Sequence, residues 1–535
     1  MSEFIISSAD NSEVKVSVEK FKFISSVNRI PCVYLVLNED SKLFDDKKLI
    51  TLKGDSSIEF IGFVSEKSKS FNGGVFTYEV KLIHPVYQLT KLRKTRVFQE
   101  GKESKLLESI IDLYPDLGLR FKYKGASVDK VEQLIQYECT DWDFLLSRAE
   151  ANGCVVAVDG SEIRLVNTSE LLKGEASKLI DNSEIKSVNL KSYYQQAVDE
   201  VSVSFHNRDN LQAPLAESVK TKDVNLKITQ QPAIEETTMC KYQGVFGEVN
   251  EAKNWSTGKV LRNLLARIQG KIEVVNLHYS KLLAPVSLAG YEDMNGDSFI
   301  TGTEIKFQSE KIETVLTIGL SETEFMDLHS VHSPPAGNLL PAIQGLQIGY
   351  VAKVEQDSKL KDRIKVMIPS LHAGKEKANK SVWARLIFMA AGHSRGVFFT
   401  PEVGDELLVG FLNNDPRHPY VLGCLYSHKT KGENTKQPFL INSKENQHSG
   451  IVTKEGLALE FNDSKEGKSL SLYAPGADEA ASKDNSFGLH IKRIDQDTVE
   501  LLNGANNSIV LNKAGIEMKA GNTTLLLNNE GVTVS

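Results

Sequence analysis

Cysteine, proline, long apolar runs and blocks of positive charge are all scarce in this sequence, and each scarcity closes off a class. The five cysteines, Cys32, Cys139, Cys154, Cys240 and Cys424, are odd in number and widely spaced, with no CxxC pair. That argues against a disulfide framework or a zinc ribbon and for synthesis in a reducing compartment. Only 15 prolines occur, too few for long Pro-rich tails. No apolar run approaches the roughly 18 residues needed to span a bilayer. The N-terminus, MSEFIISSAD, has no basic segment leading into an apolar core. No secretory signal is expected, so synthesis in the cytoplasm is expected, and if the protein acts at a membrane or outside a cell, another machine carries it there. No basic block offsets the formal net charge of −7, so no nucleic-acid partner is expected. The 11 histidines form no HxH or HExxH pattern, and no pair among the 70 Asp and Glu residues is marked out by spacing. Neither catalysis nor a cofactor is expected.

What the sequence does contain is a repeat. Residues 505–520 read ANNSIVLNKAGIEMKA, and residues 521–535 read GNTTLLLNNEGVTVS. A shift of sixteen places Leu511 on Leu527, Asn512 on Asn528 and Gly515 on Gly531. Each unit holds two short apolar runs separated by a Gly-containing turn, which predicts strand–turn–strand. One such ribbon cannot bury its apolar face alone. Leu511, Ile516, Leu527 and Val532 are the candidates for a core shared between identical chains. The pattern runs to Val534 and Ser535 without a closing cap, so this end is expected to dock a separate tip protein.

With 535 residues, three or four domains are expected at about 150 residues each. Period-two alternation over 14–84, with a Gly73-Gly74 turn, predicts a small barrel or sandwich. Helices are predicted over 104–114, stopped by Pro115, and over 142–152. The second is capped by Thr140 and ended by Gly153, with Trp142 and Phe144 serving different neighbours. Periodicity weakens over 207–257, which reads as a long surface excursion, and a third helix follows over 258–269. Residues 330–341, containing SPPAG, read as a linker. Six short strands between 347 and 426, one of them at 397–400, predict a closed OB-like barrel.

Two stretches carry binding chemistry as candidates. Asp293, Asn295, Asp297 and Glu304 occupy positions 1, 3, 5 and 12 of a calcium loop. Position six is Ser298 rather than Gly, and the flanks are strands, so a hairpin turn is the simpler reading. In the barrel, Trp383, Phe388, Phe398 and Phe399, with Lys353, Lys361, Arg363 and Lys365 nearby, read either as a stacking surface or as a set of core aromatics beside a charged hairpin.

The stretch QYECTDWDFLLSRAEANG at 136–153 resembles the signature of the VgrG spike proteins. A second, FFTPEVGDELLVGFLNNDPRHPYVLGCLY at 398–426, resembles the barrel motif of the same family. The resemblance implies a mainly β chain with a few helices. It would form a phage-hub-like domain of barrel subdomains over 1–335, an OB-fold over 336–430, and a linker with an intertwined trimeric β-prism over 431–535. It implies a homotrimeric spike at the tip of a contractile injection apparatus of the type VI secretion, phage-tail or extracellular-particle kind. The implied partners are a hexameric inner tube, baseplate proteins, a PAAR-type tip protein and effectors. A glycan- or surface-binding tail module acting through the barrel is the alternative. A baseplate hydrolase is disfavoured, because 427–456 is too short to hold an inserted enzyme.

Overall fold

The computed structural model describes residues 2–8, 13–40, 44, 49–53, 59–125, 131, 133–171, 177–179, 185–193, 198–205, 215–224, 226, 237–243, 249–275, 281–308, 311–321, 323, 335–336, 340–355, 363–371, 381–426, 447–464, 468–474, 487–493, 497–503 and 507–535. The chain forms two compact units, Met1–Leu425 and Tyr426–Ser535.

The first unit opens with a barrel. Strands Ser2–Ser8, Ile50–Lys53, Glu59–Asn72, Val75–Ile83, Cys32–Leu37 and Glu13–Ser26 pair in that order, and the last returns to the first. Alternation puts Leu35, Leu37, Leu52, Val80 and Leu82 inside, as a period-two pattern must when one sheet face is buried. Gly73 and Gly74 both hold positive φ in the turn between Glu59–Asn72 and Val75–Ile83, a conformation L-residues adopt only at a cost. The long strand Glu13–Ser26 then passes pairing on to Gly296–Gln308, followed in space by Lys311–Ile318, Ile268–Val274 and Ile185–Ser192.

Helix α1 (Glu103–Ile111) and helix α2 (Asp141–Ala151) pack against a sheet of Cys154–Asp159, Glu162–Asn167 and Arg120–Lys124. Thr140 caps α2 by accepting a hydrogen bond from the Asp143 amide at 3.0 Å, and Gly153 ends it with φ +64°. Trp142 and Phe144 do not serve different neighbours as their spacing suggested. Both enter one core, where Phe144 stacks on Phe98 with ring centroids 5.8 Å apart.

Two strands in the excursion expected over 207–257, Leu215–Lys220 and Thr237–Gln243, flank Val198–Phe205 in a three-stranded sheet. After the short helix α3 (Thr168–Leu171), the long helix α4 spans Val249–Arg267 and starts nine residues before the predicted 258. Its first turns escaped detection because half of their buried face is polar: Glu251 and Ser256 are buried beside Ala252 and Trp255. Of the stretch read as a linker over 330–341, Ala336 and Leu340 are buried.

A closed five-stranded barrel follows, Gln347–Lys353, Arg363–Met367, Val382–Leu386, Pro419–Leu425 and Glu406–Phe411. The sixth strand expected at 397–400 is not in it. Arg395–Val397 instead pairs with Ala390–Gly392 as an exposed hairpin, lacking the alternation that would turn one face inward. The barrel core takes Val97 and Ile135 from the preceding domain. The second unit is a nine-stranded antiparallel meander from His448–Val452 to Gly531–Val534.

Candidate functional site

The meander carries its apolar side chains in columns. Leu511 faces Ile516, Ile516 faces Leu527 and Leu527 faces Val532, so the four candidates from the repeat form one cross-strand row. The row continues upward through Val499, Ile491, Leu470 and Phe461. Two residues away on the same face runs a second row, from Ile451 through Leu472 and Leu501 to Ile509, Met518, Leu525 and Val534. Direct cross-strand partners share a face and reinforce one another, so the sheet presents an unbroken double apolar stripe. In the single chain this stripe faces solvent: Leu511 is 40% exposed, Leu527 43% and Val532 62%. Val534 lies at its end, and Ser535 exchanges backbone hydrogen bonds with Thr524 at 2.8 and 2.9 Å.

The two sequence stretches 136–153 and 398–426 meet in a buried chain of charges. Arg148, on the inner face of α2, donates from Nε to Glu103 at 2.5 Å and from Nη2 to Glu251 at 3.1 Å. Glu251, on α4, also accepts from Arg417 at 2.5 and 2.6 Å, and Arg417 reaches back to Asp415 at 2.8 Å. All five residues are nearly inaccessible to water. Burial alone would raise the carboxyls of Glu251 and Asp415, but the guanidinium of Arg417, helped by Arg148 at Glu251 and by His418 at Asp415, holds both below the usual range. Gln133 adds a neutral tie, donating to the Arg417 carbonyl at 3.0 Å and accepting from the Trp383 amide at 3.0 Å.

A second buried carboxylate opens α2. Asp141 accepts from Tyr114 at 2.5 Å, Arg96 at 2.5 Å, Gln136 at 2.8 Å and Lys94 at 2.9 Å. Burial works to raise it, but the hydrogen bonds of Tyr114 and Gln136 and the charge of Arg96 hold it low. None of these ion pairs was singled out from the sequence. The one available signal was Arg148, a charge on the same side of a helix as Leu145 and Phe144, which is costly unless it is paired.

The family model described as the Alg8 N-terminal domain matches residues 3–308, more than half of the chain. The one described as the type VI secretion system/phage-baseplate injector OB domain matches residues 347–426. The type VI secretion system spike protein VgrG1b of Pseudomonas aeruginosa is 24% identical over 406 residues, covering 71% of this chain and 53% of its own length. The chain belongs to the Alg8 N-terminal domain family and resembles the VgrG spike proteins of type VI secretion. A further relative, the spike protein VgrG5 of the same organism, is 35% identical over 96 residues, 17% of this chain and 12% of its own. Among solved structures, the lidded Francisella PdpA–VgrG complex matches with a TM-score of 0.52 at 12% identity, covering 97% of this chain and 80% of that one. An Escherichia coli type VI secretion component, described as structurally similar to the T4 tail proteins gp27 and gp5, matches with a TM-score of 0.51 at 14% identity. It covers 78% of this chain and 99% of that one. The mainly β hub fold with an OB barrel is thus shared. The chain spans about half the length of the VgrG1b and VgrG1c relatives it matches.

The remaining candidates of this VgrG-like chain come apart. Asp293 lies in a short helical turn, Glu292–Met294, and its side chain is outside the description. Asn295 accepts from the Tyr291 amide at 2.8 Å. Asp297 and Glu304 sit on one extended strand, Gly296–Gln308. At about 3.3 Å per residue they are roughly 20 Å apart and cannot share an ion. Glu304 instead pairs with Lys22 at 3.1 Å and Lys306 at 2.9 Å.

The reading of the barrel aromatics as core also fails. Phe398 is 74% exposed and Phe399 56%, because they follow the hairpin that left the barrel. Trp383 is half-buried, with Arg363 and Lys365 over its ring at 5.4 and 5.0 Å. Phe388 is half-buried, Lys353 pairs with Glu355 at 2.5 Å, and Lys361 lies outside the described residues.

Proposed function

We propose that this chain is the central spike of a contractile injection apparatus, built from three copies and acting mechanically rather than as an enzyme. The double apolar stripe of the C-terminal meander carries the reading. A stripe continuous over nine strands and half-exposed in one chain is stabilised by about 1.5–3 kcal/mol for each large side chain it fully buries. Three identical stripes around one axis cover each other. Leu511, Ile516, Leu527 and Val532 then fill the axis of a stiff prism, and Val534 and Ser535 face a PAAR-type tip protein. Residues 1–335 form the hub on a hexameric inner tube, 336–430 the barrel collar, and 431–535 the linker and prism. Baseplate proteins and effectors complete the partners. Assembly takes place in the cytoplasm, and contraction drives the tip through the target envelope. The spike names of the relatives support a structural role. Light scattering of the full chain is expected to give a mass near three times 59.3 kDa; a monomer at micromolar concentration would sink the reading.

A surface-binding barrel is the second reading, favoured by the exposure of Phe398 and Phe399. Saturable binding of oligosaccharides that is lost in Phe398→Ala and accompanied by a monomeric mass would favour it.

A further inference from the structure

One wall of the five-stranded barrel has a chemistry that neither the buried charge network nor the apolar stripe uses. In Arg363–Met367 and Val382–Leu386, alternation sends Ile364, Val366, Val382 and Ala384 into the core and leaves Arg363, Lys365, Trp383 and Arg385 half-buried on the outer face. Register fixes their neighbours. Lys353 faces Lys365 and Lys365 faces Trp383, while Arg363 faces Arg385 and Arg385 faces Tyr420. Two cross-strand rows result, each spanning three strands and lying two residues apart, roughly 7 Å along the strand. Cations and rings interlock within them: Arg363 and Lys365 stand over Trp383 at 5.4 and 5.0 Å, and Arg385 over Tyr420 at 5.9 Å. The strands Gln347–Lys353, Arg363–Met367, Val382–Leu386 and Pro419–Leu425 hold these four cations and no carboxylate. Glu355, just past the first strand, meets Lys353 at 2.5 Å and Lys365 at 2.9 Å. Like charges directly opposite each other are destabilising, so Arg363 against Arg385 and Lys353 against Lys365 cost the fold something. In a chain whose net charge is −7, that concentration is not a consequence of composition.

The geometry narrows the partner. Two such walls repel each other, so a second copy of this face is not the occupant. The barrel is closed and leaves no strand edge on which an acidic peptide gains main-chain hydrogen bonds. Cations already overlie both rings, so neither offers the bare aromatic platform that nucleobases stack on. What remains is a flat array of guanidinium and ammonium groups held in place by aromatic rings. It suits a chain that presents carboxylates at intervals and needs neither a strand edge nor a base platform. Guanidinium matches carboxylate in a two-pronged geometry that ammonium cannot make. We propose that this wall binds an acidic polysaccharide, with carboxylates of successive sugars meeting Arg363 and Arg385 and with Lys365 beside them. Trp383 and Tyr420 act as positioning residues that hold the cations above them. The site lies on the barrel strands and depends neither on the spike reading nor on the exposed Phe398.

The test uses the full chain and two fluorescein-labelled oligosaccharides, hexagalacturonate and the neutral maltohexaose, read by anisotropy at low ionic strength. Hexagalacturonate binds roughly tenfold tighter than maltohexaose, or better, and weakens with added salt. The double variant Arg363→Gln, Arg385→Gln loses roughly tenfold in affinity for hexagalacturonate, whereas Phe398→Ala binds as the unaltered chain does. If the double variant is disturbed in folding by circular dichroism, Arg385→Gln alone takes its place, with a smaller loss. Equal affinity for the two oligosaccharides, or unchanged affinity in the arginine variants, overturns the proposal. Loss of binding in Phe398→Ala overturns it too, by moving the site to the exposed hairpin. So does tighter binding of hexa-dT or of hexaglutamate with the same arginine dependence, since the wall would then serve a nucleic acid or an acidic peptide.

Discussion

Arg148 brings a full positive charge to the buried side of α2 and is tolerated there because Glu103 and Glu251 meet it. Replacing it alone, as in Arg148→Met, leaves two carboxylates facing each other in a dry interior. A loss of about 3–5 kcal/mol is expected, measured as a lower denaturation midpoint of the first unit. The pH dependence has a defined sign. Glu251 and Asp415 hold folded values below their ordinary ones, so their contribution is complete above the ordinary carboxylate range and drains as pH falls through the lowered values. His84 acts the same way for another reason. Burial lowers it from 6.5 to about 4 although its Nε2 meets the Gly160 carbonyl at 2.6 Å. An imidazole kept neutral in the fold and protonated in the unfolded chain removes stability as pH falls from about 6.5 to about 4, by roughly 3 kcal/mol in all. His84→Gln should flatten that part of the pH profile, and an unaltered profile would refute it. At this scale the sequence was a poor guide, since pairing among Glu103, Arg148, Glu251 and Arg417 spans hundreds of residues and leaves no local pattern.

At the scale of elements, the C-terminal strands were legible because period-two alternation is a local property. A repeat of sixteen that preserves alternation puts Leu511 and Leu527 on one face whatever else the chain does. Replacing both by Asp is expected to abolish the trimer, since three buried carboxylate pairs on one axis cost far more than the lost contacts return. Stable trimers of the double variant by light scattering would remove these residues from the axis. Helix α4 was half-legible, because its second half alternates in the helical period and its first half buries Glu251 and Ser256. What seats it is a crossing of glycines: a Cβ on Gly153 would meet Gly258 Cα at 2.9 Å and the Asn254 carbonyl at 3.0 Å. Gly258→Ala therefore forces α2 and α4 apart at a cost of about 1–3 kcal/mol. Gly160→Ala, at φ +55° with open space around it, should cost only about 1 kcal/mol of backbone strain. Matched thermal melts of the two variants check the ranking.

For the whole molecule, the division at Leu425 and Tyr426 implies two separable unfolding events. Calorimetry is expected to show one transition lowered by Arg148→Met and untouched by the Leu511 and Leu527 pair, and a second with the opposite response. A single transition shifted by both sets would contradict independent units. The fold class was readable early because strand alternation and two motif stretches are written in contiguous residues. The barrel was legible apart from the hairpin at Ala390–Gly392 and Arg395–Val397, which lacks an inward face.

By itself the sequence determined the β-rich character, the capped helix after Thr140 and the paired apolar rows of the last strands. All of these depend on composition or on spacings of a few residues. Only the tertiary structure decided that Arg148 and Arg417 share Glu251, that Asp297 and Glu304 lie on one strand too far apart to hold an ion, and that Arg363 and Arg385 face each other beside Trp383 and Tyr420 on one barrel wall. Those depend on which distant strands and helices become neighbours, and long-range electrostatic pairing leaves no periodic trace in a chain read along its length.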